Sequence, residues 1–298
     1  MIRRFFNTLF DFEHQETTGD VIFFRLFELC VIYWTLYHSW SWGFYIPKIG
    51  DVVLPLGIAE YMDISFMFDH NLAIVNATVI TIASALAFFK RWRYGYLLVI
   101  LGLHLQYVAR YSLGEISHGS NVIGVVLVGM AIGVIAFKEG HLQRRFILGY
   151  SYFFVGFGYF ISGISKLVAT GITWPDGAHL WMWMAERTVD MFALTGQINH
   201  NFVQNIVSNS WLIATLALAF GMCGELLGWL MWNKKYRPYI TTCLIMFHVG
   251  VLLVMKINFP SNLAMLVFLA YPWAALIDWF MTRYDGVLLQ YLPRASGV

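Results

Sequence analysis

Charge is scarce in this chain. Only 12% of its 298 residues are Asp, Glu, Lys or Arg, against about 25% in a soluble domain. That shortage excludes an ordinary water-soluble globule. Cysteine is rarer still: Cys30, Cys223 and Cys243 are the whole complement. Each falls in an apolar run and none forms a C-x-x-C, so they read as packed small hydrophobes and not as a redox or zinc pair. No H-x-x-x-H or H-E-x-x-H occurs, and no metal is expected. No basic block or nucleic-acid motif appears, which argues against nucleic acid as a partner. Before Asp11-Phe12-Glu13 there is no long apolar stretch, so residues 1–20 read as a short interfacial segment and not as a cleavable signal.

Apolar and aromatic residues fill the space that charge leaves. They make up 59% and 18% of the chain, with a mean hydropathy of +0.64. Runs near the ~20 residues needed to cross a bilayer fall at 21–45, 71–89, 95–113, 117–137, 146–168, 211–231, 238–256 and 262–281. In lipid the backbone must satisfy its own hydrogen bonds, so such runs are helices. The expected fold is an all-α polytopic membrane protein of about eight transmembrane helices. It divides into an N-terminal segment 1–20, a membrane domain 21–281 and a tail 282–298.

Loop charge orients it. Arg3, Arg4, Lys90, Arg91, Arg93, Lys138, Arg144, Arg145, Lys234, Lys235, Arg237, Arg283 and Arg294 are thirteen of the 19 basic residues, and all fall on one side of an eight-span topology. The positive-inside rule makes that side cytoplasmic, with both termini inside. The opposite face then carries Arg110, His118, Lys166, Lys256 and Asn258. It also carries the longest connection, 169–210, whose apolar pieces are too short to span and read as interfacial or re-entrant helices over a cavity.

Lys166 ends the run 147–167. An amine is costly inside a bilayer, though near a span end it can snorkel to water. Two readings stay open. Lys166 is an anchor and His118 a helix cap, or partial burial leaves Lys166 a neutral amine able to take a proton, with His118 beside the reacting oxygen. His104 and His248 fall at similar depth and either line one cavity or bond to neighbouring helices. Arg25, Glu28 and Glu225 share the cytoplasmic half of their spans. A structural ion pair, Arg25–Glu225 or Arg25–Glu28, is expected there; a proton or ion path is the alternative. Gly156, Gly158 and Gly163 permit close helix approach.

Tyr159-Phe160-x-x-Gly163-x-x-Lys166-Leu167, followed by Trp174-x-x-Gly177, resembles the core motif of the vitamin K-dependent gamma-glutamyl carboxylases. It also resembles the wider bacterial HTTM (horizontally transferred transmembrane) family that shares their membrane domain. Ser117-His118-Gly119-Ser120-Asn121-x-x-Gly124 resembles the segment of the family's active-site histidine. Met246-Phe247-His248 with Asn258-Phe259-Pro260 resembles a later functional span, and Phe24-Arg25-Leu26-Phe27 the first-helix arginine signature. The resemblance implies Lys166 as the base toward a reduced quinone (vitamin K hydroquinone-like) and His118 as its electrostatic partner. It implies that His248, Trp174, Tyr159 and Asn258 line the quinol pocket. Oxygen and the quinol would then drive proton removal from a glutamate side chain and addition of carbon dioxide. The expected setting is a bacterial inner membrane, with the chemistry at its periplasmic face and a small peptide or another membrane protein as partner. A non-catalytic scaffold subunit and a small-molecule or proton transporter are the competing readings.

Overall fold

The computed structural model describes residues 2–49, 54–111, 120–138 and 140–288. Twelve α-helices and several short 3-10 turns account for most of them, and no strand occurs among the described residues. The helices are α1 Ile2–Phe10, α2 Thr18–Tyr45, α3 Leu72–Phe88, α4 Gly95–Tyr111, α5 Asn121–Ala136, α6 Gly140–Thr170, α7 Gly177–Thr195, α8 Phe202–Ser208, α9 Trp211–Leu226, α10 Arg237–Met255, α11 Pro260–Ala270 and α12 Trp273–Leu288.

Each expected apolar run coincides with helix. The segment Gly140–Thr173 and helix α10 are long and apolar enough to cross a membrane by length and composition. Counting the bent pairs α8–α9 and α11–α12 as one span each raises the number to four. The chain is therefore an all-helical protein with the build of a membrane protein. Two runs differ from expectation. The run 211–231 stops as α-helix at Leu226 and continues as a 3-10 turn over Gly228–Trp232. The run 262–281 is two helices bent by 62°. Pro272 explains the second case: it lacks an N–H and disfavours helical backbone at Tyr271, which is extended.

Two cores organise the helices. The larger joins α2 to α6, α10 and α11 through fully buried Phe27, Val31, Val99, Leu127, Met130 and Met265. The smaller lies under the long connection, where Leu180 and Met184 of α7 meet Val207, Ala214, Leu218 and Val254. Close approach of α6 to the turn after α9 depends on glycine. A Cβ on Gly156 would meet Met231 Cβ at 2.9 Å, and one on Gly163 would meet Leu226 N at 3.2 Å. At Gly158 a Cβ meets nothing within 4 Å, because that side of α6 faces a cavity.

The basic connections are tied together at one end of the bundle. Arg93 donates to the carbonyls of Val134 (2.6 Å) and Phe137 (2.9 Å), which end α5. Arg144 pairs with Glu16, Arg145 with Asp20, and Lys234 with Asp11. Thr17 and Asp20 form a capping box that starts α2, so the interfacial segment gives way to helix at Thr18.

Candidate functional site

Three polar side chains of α6, Tyr159, Ser162 and Lys166, are spaced i, i+3 and i+7 and so share one stripe. The stripe faces α9, α10 and α11 across a cavity of about 790 Å³. Its walls are mostly apolar, with Val125, Phe154, Leu218, Phe247, Val251 and Val254 among them. The long connection closes one side: Trp174 precedes α7, and Leu180 and Trp183 of α7 also line the space.

Lys166 is held from several directions. Its Nζ forms an ion pair with both carboxylate oxygens of Glu225. It also donates to Ser162 Oγ at 3.2 Å, and Ser162 in turn donates to Glu225 at 3.2 Å. The ammonium lies 5.2 Å from the Trp174 ring centroid and 5.9 Å from that of Phe247, within the reach of a cation–π attraction. The Glu225 side chain is 4% exposed and that of Lys166 23%. The amine thus stays at the cavity wall and not in open water.

A second polar group sits on the same wall. Tyr159 Oη and His248 Nε2 are 2.7 Å apart, and Asn262 is a hydrogen-bond neighbour of the Tyr159 hydroxyl. When the Asn262 amide donates to the tyrosine oxygen, the tyrosine proton points to Nε2 and His248 carries its own proton on Nδ1. That Nδ1 and the Asn262 Oδ1 are both buried without a hydrogen-bond partner. One unmet donor and one unmet acceptor therefore belong to residues that line one apolar space. A buried unmet polar group costs roughly 1–3 kcal/mol, so such atoms call for a reason. Phe259 packs edge-on to the His248 ring at 5.3 Å.

The structure brings together Lys166, His248, Trp174 and Tyr159, all expected at one site, and sets Glu225 among them. Of the two ion pairs expected for Arg25, the one with Glu28 forms and the one with Glu225 does not. Arg25 pairs with Glu28, which also accepts from Tyr96, in a separate cavity. Glu225 pairs instead with Lys166, from the last turn of α9, after which the chain continues as a 3-10 turn packed on α6. Asn258 is exposed and outside the cavity lining, while Asn262, one turn later, lines it. His104 lies beside Gly57, away from His248, so the two histidines do not share the cavity. His118 lies outside the described residues.

Ser162 and Asn262 escaped the sequence reading. Ser162 could have been found, since it sits four residues before Lys166 on the same helix face. Asn262 carries no local signal beyond its one-turn spacing from Asn258.

The long connection is largely helical, in α7 and α8. Asp176 caps α7, accepting from Ala178 N at 2.8 Å and from Trp211 Nε1 at 2.8 Å, and so ties α7 to α9. These bonds hold the Asp176 carboxyl below its ordinary value of 3.8, the backbone bond being the larger cause. Lys256 ends α10 and reaches the Asn199 carbonyl at 2.9 Å, fastening α10 to the loop after α7. Helices α8 and α9 meet at 109°, a sharp bend over the smaller core.

No family model, curated protein or solved structure matches this chain.

Proposed function

We propose that this protein is a quinol-dependent, carboxylase-like membrane enzyme whose proton-accepting group is Lys166. The observation that carries the reading is the Lys166–Glu225 pair set in the wall of a large apolar cavity. A charged pair desolvated in this way gains little stability over well-packed apolar residues. Chemistry is a better reason for it.

A proton shared by the pair can sit on either partner. Ammonium with carboxylate and amine with carboxylic acid differ only in the position of that proton, and the total charge is the same. In the second form the Lys166 amine is a base, and Glu225 holds the proton it gave up. The amine can then accept a proton at Nζ from a weakly acidic hydroxyl. Ser162 bonds to both members of the pair and fixes their relative position.

The cavity fits a reduced quinone. Pockets for small apolar ligands run to about 300–1,000 Å³ with a few placed polar groups, and this one holds about 790 Å³. The unmet Nδ1 of His248 and Oδ1 of Asn262 are a donor and an acceptor suited to a ring oxygen and its hydroxyl proton. Trp174, Phe247 and Phe259 supply flat apolar surface around them. A quinol, when bound, supplies the reducing equivalents. The protein residues position it, exclude water and receive its proton.

The same reading takes α2, α3, α4, α5, α6, α9, α10 and the α11–α12 pair as eight crossings of a bacterial inner membrane. Both termini lie in the cytoplasm, and the Lys166 end faces the periplasm. The modified partner is a peptide or membrane protein. The test is incorporation of labelled carbon dioxide into a glutamate-rich peptide by purified protein, with and without reduced vitamin K. Wild type should incorporate label only with the quinol and oxygen, and Lys166→Ala should not. Equal incorporation by both proteins would end this reading.

A scaffold role has one observation in its favour. Ile172, Leu194 and Phe202 of the long connection are 87%, 82% and 78% exposed, a protruding apolar surface of the kind that a partner or the bilayer edge covers. For the transporter reading, Glu225 and the Arg25–Glu28 pair line different cavities among the described residues.

A further inference from the structure

A second cavity of about 420 Å³ lies at the end of the bundle where the basic connections meet. Five cations line it: Arg25, Lys90, Arg93, Lys138 and Arg144. They come from three separate parts of the chain, namely α2, the α3–α4 connection, and the α5–α6 connection with the start of α6. Among the described residues Glu28 is the one acidic residue in the lining, and Arg25 and Tyr96 already engage it. Arg144 is matched by Glu16. Arg93 is spent on the end of α5, through the carbonyls of Val134 and Phe137. Lys90 and Lys138 have no side-chain hydrogen bond or ion pair among the described residues.

Basic residues that only set membrane orientation have no need to converge, and in water they would spread apart to reduce repulsion. Here they line one space, with Lys90, Arg93 and Lys138 exposed around its mouth. Lys90 also holds a left-handed backbone, with φ 55°, directly after the end of α3. Glycine is the usual and cheaper residue at such a position, so the lysine side chain is kept there at some cost. The deeper wall is apolar, formed by Phe24, Ala87, Met130, Val134 and Ile147.

We propose that this cavity binds a phosphate-class anion, with Lys90 and Lys138 as the unspent cations that contact it. The chemistry is shared by a phospholipid headgroup and a free phosphate, and the apolar inner wall is compatible with acyl chain beside the headgroup. The site is independent of the Lys166 cavity and stands whether or not that cavity is catalytic.

The test uses purified full-length protein in an uncharged detergent. Its thermal unfolding midpoint is followed while titrating inorganic phosphate, dihexanoyl phosphatidylglycerol or dihexanoyl phosphatidylcholine. At least one of the two anions should raise the midpoint saturably. Greater potency of phosphatidylglycerol assigns a headgroup, and greater potency of inorganic phosphate assigns the free ion. Losing two charge-assisted contacts in K90Q/K138Q should raise the half-effective concentration by about tenfold or more. The matched variant R91Q/K235Q removes the same charge from outside the cavity and should behave as wild type. No stabilisation by either anion, equal stabilisation by phosphatidylcholine, or an equal loss in R91Q/K235Q would overturn the proposal. Should K90Q/K138Q fail to fold, native mass spectrometry of wild type decides: one bound phosphatidylglycerol or phosphate per chain supports the site, and none, or an unsaturable series, overturns it.

Discussion

Lys166 on α6 and Glu225 on α9 are direct ionic partners, bridged by Ser162 and roofed by the Trp174 ring. The pair welds the helix carrying the most distinctive motif to the helix that follows the 109° bend after α8. It also places an amine in the wall of a mostly apolar cavity of about 790 Å³.

Removing either partner leaves the other charge buried and uncompensated, which costs about 3–5 kcal/mol in well-buried pairs. The 23% exposure of Lys166 lets water soften the loss on its side. Glu225→Gln and Lys166→Met should therefore each lower the unfolding midpoint in detergent, with Lys166→Met the worse because it strands the more buried carboxylate. The double variant should lose clearly less than the sum of the two. Additive losses would mean that the residues act apart.

Glycines on α6 should divide by face. Gly156→Ala pushes a methyl group into Met231 and the Gly228 backbone and should destabilise the protein by about 1–3 kcal/mol through overpacking. Gly158→Ala meets nothing within 4 Å. It should be neutral, or stabilising by about 0.5–1 kcal/mol from helix propensity. Thermal melts of the two variants side by side check this, and reversal of their order would contradict the packing described.

Tyr159→Phe removes the hydroxyl that meets His248 Nε2 at 2.7 Å. It should cost roughly 1–3 kcal/mol of stability and raise the quinol KM. Asn258→Ala, outside the cavity lining, should leave that KM unchanged. Steady-state kinetics with varied quinol distinguishes them. An Asn258 effect equal to that of Tyr159 would show that the site extends beyond the cavity described.

Asp176 gives an acid-side signature. Its bonds to Ala178 N and Trp211 Nε1 lower its folded-state pKa below 3.8, so the folded protein binds this proton less readily than the unfolded chain. The stabilisation is complete above the unfolded carboxylate value and is lost as pH falls through the depressed folded one. Asp176→Asn should flatten the loss of stability below about pH 4, measured as unfolding midpoint against pH. An unchanged acid limb would remove Asp176 as its source.

The helices were legible because a bilayer-length apolar run has one stable backbone solution. Run and helix agree for α2, α3, α6 and α10 to within a few residues, apart from the extra turns at the start of α6. Tyr159, Lys166, Trp174 and His248 were legible as a set through motif resemblance, and their convergence on one cavity follows from α6, α7 and α10 packing about it. Partner choice was legible in part: Arg25–Glu28 is one of the two ion pairs expected, while nothing local to Glu225 marks it as the partner of Lys166. Asn258 and Asn262 differ by one turn, and which one faces inward depends on how Pro260 starts α11. The bend at Pro272, in contrast, could have been read from that residue alone.

The central claim is that the Lys166 amine accepts a proton from a quinol in this cavity. It is tested most directly by the rate of oxygen consumption on adding reduced vitamin K and a glutamate-rich peptide to purified wild type, Lys166→Ala and Glu225→Gln. Loss of a positioned general base costs about 10²–10⁴-fold in rate. Lys166→Ala should fall by that order, and Glu225→Gln should fall as well, because glutamine cannot hold the exchanged proton. Wild-type rates in folded Lys166→Ala would contradict the account.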